Sequence, residues 1–146
     1  MTIITRKEIL DVLQRDWATY VERFHSLSPA AQSNFLVKQG YIRFADLLSH
    51  IIAWWQIGYQ TIDKYLTNRK YEPQAYDVDV FNAEAVAKIS GLEEQSVINS
   101  FEKMRFFLIE YVNELPDAAF DNEKIVKQFN MEFMGHLDEH KIPEGE

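Results

Sequence analysis

The chain contains no cysteine, which excludes disulfides, thiolate catalysis, cysteine-ligated zinc and iron–sulfur clusters. Any metal must be held by histidine and carboxylate. Glycine and proline are scarce, five and four in 146 residues, so few points can break a regular element. Cations are in deficit: 15 Lys and Arg stand against 23 Asp and Glu, a formal net charge of -8. Such a surface repels phosphate backbones and offers few of the cations whose counterion release drives duplex binding, so no nucleic-acid partner is expected. Long apolar runs are absent as well, and the opening Thr5-Arg6-Lys7-Glu8 places charges where a secretory leader needs apolar residues. No membrane association and a cytoplasmic location are the expectation.

What is present is a large apolar fraction, 47% with 14% aromatic, sufficient for one core but not for two. Residues 1–146 therefore read as a single domain. Thr5 and Glu8 form a capping box ahead of Leu10, Leu13, Trp17, Tyr20, Val21 and Phe24, whose spacing predicts a helix to about Ser26. Ser28-Pro29 opens a short segment that ends before Gly40. A second long helix is predicted from about Ile42 to Thr67, with Phe44, Leu47, Leu48, Ile51, Trp55, Gly58, Ile62, Tyr65 and Leu66 inward. A linker over 68–80 and a short helix around 82–90 follow, and Ser90 with Glu93 reads as a second capping box. The third long helix carries Val97, Phe101, Met104, Leu108, Tyr111, Val112 and Leu115 before Pro116; Asp121 or Asn122 caps the fourth, with Ile125, Val126, Phe129, Phe133, His136, Leu137 and His140 on one stripe. Pro143 and Gly145 close the pattern.

Four amphipathic helices make an all-α four-helix bundle the expected fold. The second helix is about 37 Å long, and 13 linker residues reach about 40 Å when extended, so that connection can cross the bundle. Helices two and three are then parallel, and the short connections elsewhere give an up-down-down-up order. This topology brings His50, early in the second helix, to the end where His136 and His140 finish the fourth. The latter two are four residues apart, on one face. Three neutral imidazoles converging there can hold Zn, Ni or Fe as a divalent ion and keep a position open. The competing account is ordinary: a histidine pair near a helix C-terminus sits well against the dipole, and a single inward histidine is usually a hydrogen-bonded core residue. His25, beside Ser26 and Ser28, reads as an exposed loop residue.

Other residues flank this site. Trp54, four residues beyond His50, can wall a small-molecule pocket, and Trp17 and Tyr20 on the first helix can form the opposite wall; core packing is the competing reading, and Trp55 reads as core. Asp46, one turn before His50, can hold the second imidazole nitrogen or, equally, cap the helix start. Asp138 and Glu139 read as a solvated face. No phosphate loop, Ser-His-Asp order or buried carboxylate pair is evident.

The segment from Gly40 to Trp54, with its Tyr41, Asp46, His50 and Trp54, resembles the second-helix signature of DinB-like proteins, and the closest branch is the ClbS/DfsB type. His136-Leu137-Asp138-Glu139-His140 is similar to that superfamily's fourth-helix motif, H-x-x-E-H. The resemblance runs from about Thr5 to Ile142. It implies an up-down-down-up bundle and a divalent-metal triad of His50, His136 and His140. Members include thiol-dependent transferases and isomerases, and the ClbS branch includes a self-resistance hydrolase acting on a cyclopropane-bearing genotoxin. Here Lys141-Ile142-Pro143 stands where several transferases have Arg-Gly-Gln, and Tyr41 stands where Trp is frequent. Three functional classes follow: a metal-dependent enzyme acting on a small molecule; a metal-free ClbS-type binding or resistance protein whose histidines act as hydrogen-bonding or acid–base groups; and a non-catalytic module whose exposed face pairs with a second copy as a homodimer.

Overall fold

The computed structural model describes residues 4–68 and 70–143. Met1 to Ile3, Arg69 of the expected linker and the breaker Gly145 lie outside the described residues. The described residues are all-helical, as expected, with no strand among them. Their elements run α1 (Arg6–Asp11), a π-helical stretch (Val12–Asp16), α2 (Tyr20–His25), α3 (Pro29–Gln39), α4 (Phe44–Thr67), α5 (Val78–Lys88), α6 (Glu94–Glu114), a 3-10 turn (Asp117–Asp121), α7 (Glu123–Gln128), a second π-helical stretch (Phe129–Gly135) and α8 (His136–Glu139). No helix among the described residues is long and apolar enough to cross a membrane.

The starts of these helices follow local chemistry. Thr5 accepts from the Glu8 amide, Ser28 accepts from the Ala31 amide with Pro29 in the first turn, and Asn122 accepts from the Lys124 and Ile125 amides. Two starts differ from expectation. Asp77 accepts from the Val80 amide, so α5 begins at Val78 and the stretch between α4 and α5 is shorter than 68–80. The third long helix starts at Glu94 with Glu93 as its cap and without a side-chain bond from Ser90.

The core gathers where α4 packs on α6 and α7 and the first helical arm packs on α6. Its centre is aromatic: Trp17 meets Trp55 edge-on at 5.0 Å, and Trp55 stacks on Phe101 at 5.1 Å between ring centroids. Most of the predicted inward residues of α4 are buried, whereas Leu66 is exposed. The first arm is not one α-helix, because its ladder widens at Val12–Asp16 and turns before Tyr20. Tertiary donors account for the widening: Arg105, buried on α6, donates from Nη1 to the Leu13 carbonyl at 3.0 Å. In the last arm the Phe133 carbonyl accepts from Trp17 Nε1 at 2.9 Å. Each π-stretch thus turns a backbone oxygen toward a side chain of another element.

Candidate metal centre

α4 starts with Asp46 folded back on Arg43: its Oδ2 accepts from the Arg43 amide at 3.2 Å and its Oδ1 from the guanidinium at 3.0 Å. Of the two roles open to Asp46, the geometry displays the helix cap, and the second nitrogen of His50 goes elsewhere. His50 Nδ1 lies 3.0 Å from Asn82 Oδ1 on α5. Trp54 Nε1 lies 2.7 Å from the same oxygen. An indole N–H can only donate, so the shared Asn82 atom is the acceptor oxygen, and His50 carries its proton on Nδ1.

The other two rings are anchored in the same way. His136 Nδ1 donates to the Glu132 carbonyl at 2.9 Å, within the last arm just after its π-stretch. His140 Nδ1 pairs with Gln39 Oε1 at the end of α3. Gly40, at φ 84°, lets the chain turn there: it ends α3 in the left-handed region, where a side chain would be strained, and so places Gln39 and Tyr41 at the site. Tyr20 fixes the backbone behind His140, its hydroxyl donating to the His140 carbonyl at 2.6 Å.

With every Nδ1 engaged by an oxygen, the Nε2 lone pairs are left facing inward. His50 Nε2 and His140 Nε2 are 3.1 Å apart, and one nitrogen from each of the three rings lies within 4.8 Å of the others. Two ligands of a tetrahedral ion at about 2.0–2.1 Å stand about 3.3 Å apart, so the His50–His140 spacing fits a shared ion. His136 offers a third nitrogen within 4.8 Å of the other two. Burial keeps these rings neutral, the form that ligates: it lowers His50 to about 4 and His140 to about 3, with the neighbouring imidazoles adding to the effect, and it lowers His136 as well.

A cavity of about 390 Å³ opens over the triad, walled by Tyr41, Trp54, Met131 and Glu132. Trp54 therefore does line it. Trp17 and Tyr20 do not: Trp17 is fully buried, Tyr20 is 2% exposed, and their polar atoms are spent on the Phe133 and His140 carbonyls. They stand behind the site and position it, as core aromatics do. His25 is half-exposed and pairs with Glu94 at 3.0 Å, away from the triad.

Sequence reasoning missed Asn82, Gln39 and Glu132. Glu132 is 5% exposed, and burial with the nearby Glu139 raises its carboxyl to about 8. Gly58 admits it, since a Cβ at that position would stand 2.8 Å from Glu132 Cγ. One usable signal existed, an acid on the His136 stripe one turn earlier; Asn82 and Gln39 carried none, because a lone amide on a helix has no pattern. No protein-family model, curated protein or solved structure matches the chain.

Proposed function

We propose that this chain is a DinB-like four-helix bundle of up-down-down-up order, nearest the ClbS/DfsB type, which holds a divalent transition metal on His50, His136 and His140 and acts on a small molecule in the cavity above. Zn, Ni and Fe suit a neutral imidazole set. The observation that carries the reading is the facing pair of Nε2 atoms, 3.1 Å apart, on rings whose Nδ1 protons are already placed. Two such lone pairs repel unless a proton or a metal cation sits between them. Burial lowers the basicity of both rings, which favours the neutral form that ligates a cation.

When bound, the ion supplies Lewis acidity toward a substrate oxygen or a water. The chain's own residues supply the rest. Asn82, Gln39 and the Glu132 carbonyl fix ring orientation and tautomer. Tyr41 and Trp54 form an apolar wall that orders a substrate against the triad. Glu132, whose carboxyl burial raises to about 8, can give a proton to a leaving group. That last feature also supports the second reading, a metal-free ClbS-type hydrolase with Glu132 as its acid.

Protein purified without chelator or nickel resin, then analysed for metals, separates the two. The metal reading expects about one transition-metal ion per chain in wild type and at least a tenfold lower content in His136→Ala. Equal uptake by both proteins, or none by wild type, overturns it.

A further inference from the structure

A second cavity, of about 240 Å³, lies on the other side of α5 from the triad, between α4, α5 and the start of α6. Val78 and Asn82 of α5 face the histidine cavity, whereas Phe81 and Ala85 face this one. Trp54 and Phe81, 4.4 Å between centroids and tilted by 50°, stand between the two spaces. The second cavity is lined chiefly by apolar side chains, among them Ile52, Ala53, Ile89, Leu92 and Val97.

Two features point to an occupant. Ser49 is 5% exposed and lines the cavity, yet its Oγ has no hydrogen-bond partner. A helical serine normally spends its hydroxyl on the carbonyl one turn back, so an unspent one inside apolar walls is a donor and acceptor awaiting a group. The charged lining residues are Glu84 and Lys88, exposed, opposite in sign and one turn apart, so the mouth selects for no net charge. An apolar cavity of about 150 Å³ suffices for benzene, and this one offers room for about two fused rings.

We propose that this cavity is a small-molecule site of its own, which takes a neutral compound of one or two rings bearing a single hydroxyl or carbonyl oxygen for Ser49. The metal reading is not needed for it. The ring body lies between Phe81, Ala85 and Ile52, and the oxygen reaches the serine hydroxyl. A bound molecule presses on Phe81 and hence on Trp54, whose indole shares Asn82 with His50.

The test is a calorimetric titration of chelator-treated protein with 1-naphthol, and with naphthalene as the analogue lacking oxygen. Wild type is expected to bind one 1-naphthol per chain. Ser49→Ala is expected to bind it about two- to tenfold more weakly, the worth of one neutral hydrogen bond, while binding naphthalene at least as well as wild type. Ala85→Leu fills the cavity and is expected to lose at least tenfold for both ligands. Thermal melts confirm that each variant folds, and if Ala85→Leu does not, the Ser49→Ala comparison decides. No saturable binding by wild type, wild-type affinity in a folded Ala85→Leu, or equal 1-naphthol affinity in Ser49→Ala and wild type each overturns the assignment.

Discussion

The aromatic centre of Trp17, Trp55, Phe101 and Phe133 and the histidine end of His50, His136 and His140 are nearly equally dry, at most 1% and at most 8% exposed. Their energetics run in opposite directions. Burying the aromatic rings removes apolar surface from water and adds edge and face contacts, so the centre stabilises the fold. Burying three imidazoles depresses their basicity and brings two ring nitrogens to 3.1 Å, so the histidine end devotes its burial to polar atoms that could hold a metal ion. Equal burial therefore marks a core in one place and a candidate site in the other. What distinguishes them is where the polar atoms point.

The largest expected effect breaks the centre alone. Phe101→Ala should lower unfolding free energy by about 3–5 kcal/mol in urea titrations, through lost contacts to Trp17 and Trp55, while leaving metal stoichiometry unchanged in the folded fraction. A parallel loss of metal would mean that the two regions are one cooperative unit.

The mirror experiment touches only the histidine end. Asn82→Ala removes the acceptor that holds His50 Nδ1 and Trp54 Nε1, and should weaken metal affinity about 10- to 100-fold with less than about 1 kcal/mol of change in metal-free stability. An unchanged affinity would show that the tautomer of His50 is set elsewhere.

Gly58→Ala probes the seam between them. The new Cβ meets Glu132 Cγ at 2.8 Å and should cost about 1–3 kcal/mol, with Glu132 displaced. Glu132→Ala in the same background should recover part of the loss, as read by thermal melts.

A fourth expected effect is pH-dependent. His50 and His140 have folded-state values below the usual 6.5, so the stability they confer is complete above 6.5 and is lost as pH falls toward about 4 and 3. Glu132 has a folded-state value above its usual 4.5, so its contribution is complete below 4.5 and is lost as pH rises to about 8. Two depressed histidines outweigh one raised carboxyl below 6.5, so metal-free protein should be most stable near pH 6.5, with a histidine limb on the acid side and a Glu132 limb on the alkaline side in urea midpoints. Glu132→Gln should flatten the alkaline limb above 6.5 and steepen the acid one; an alkaline limb that persists would place its origin outside the site.

Much of the three-histidine cluster was legible. The i, i+4 spacing of His136 and His140 fixes a shared face whatever the fold, and His50 joined them through helix lengths and connection lengths alone. The aromatic assignments were less legible: Trp17, Tyr20 and Trp54 all sit on inward stripes, and periodicity cannot say whether an inward ring meets a cavity or another ring. Asp46 carried two readings for the same reason, since one carboxylate near a helix start serves Arg43 or His50 equally well until the side chains are placed.

Composition, cap residues and apolar spacing are local properties of the chain, and they determined the all-helical class, most helix starts and the pairing of His136 with His140. The π-wound stretches, the Asn82 and Gln39 oxygens that orient His50 and His140 and the exclusion of Trp17 from the cavity were decided only in three dimensions. Each depends on a partner far away in the chain: Arg105 for Leu13, Asn82 for His50, Gln39 for His140, Phe133 for Trp17. A hydrogen bond between distant residues leaves no periodic trace in either segment, because it is set by how the helices lie against one another.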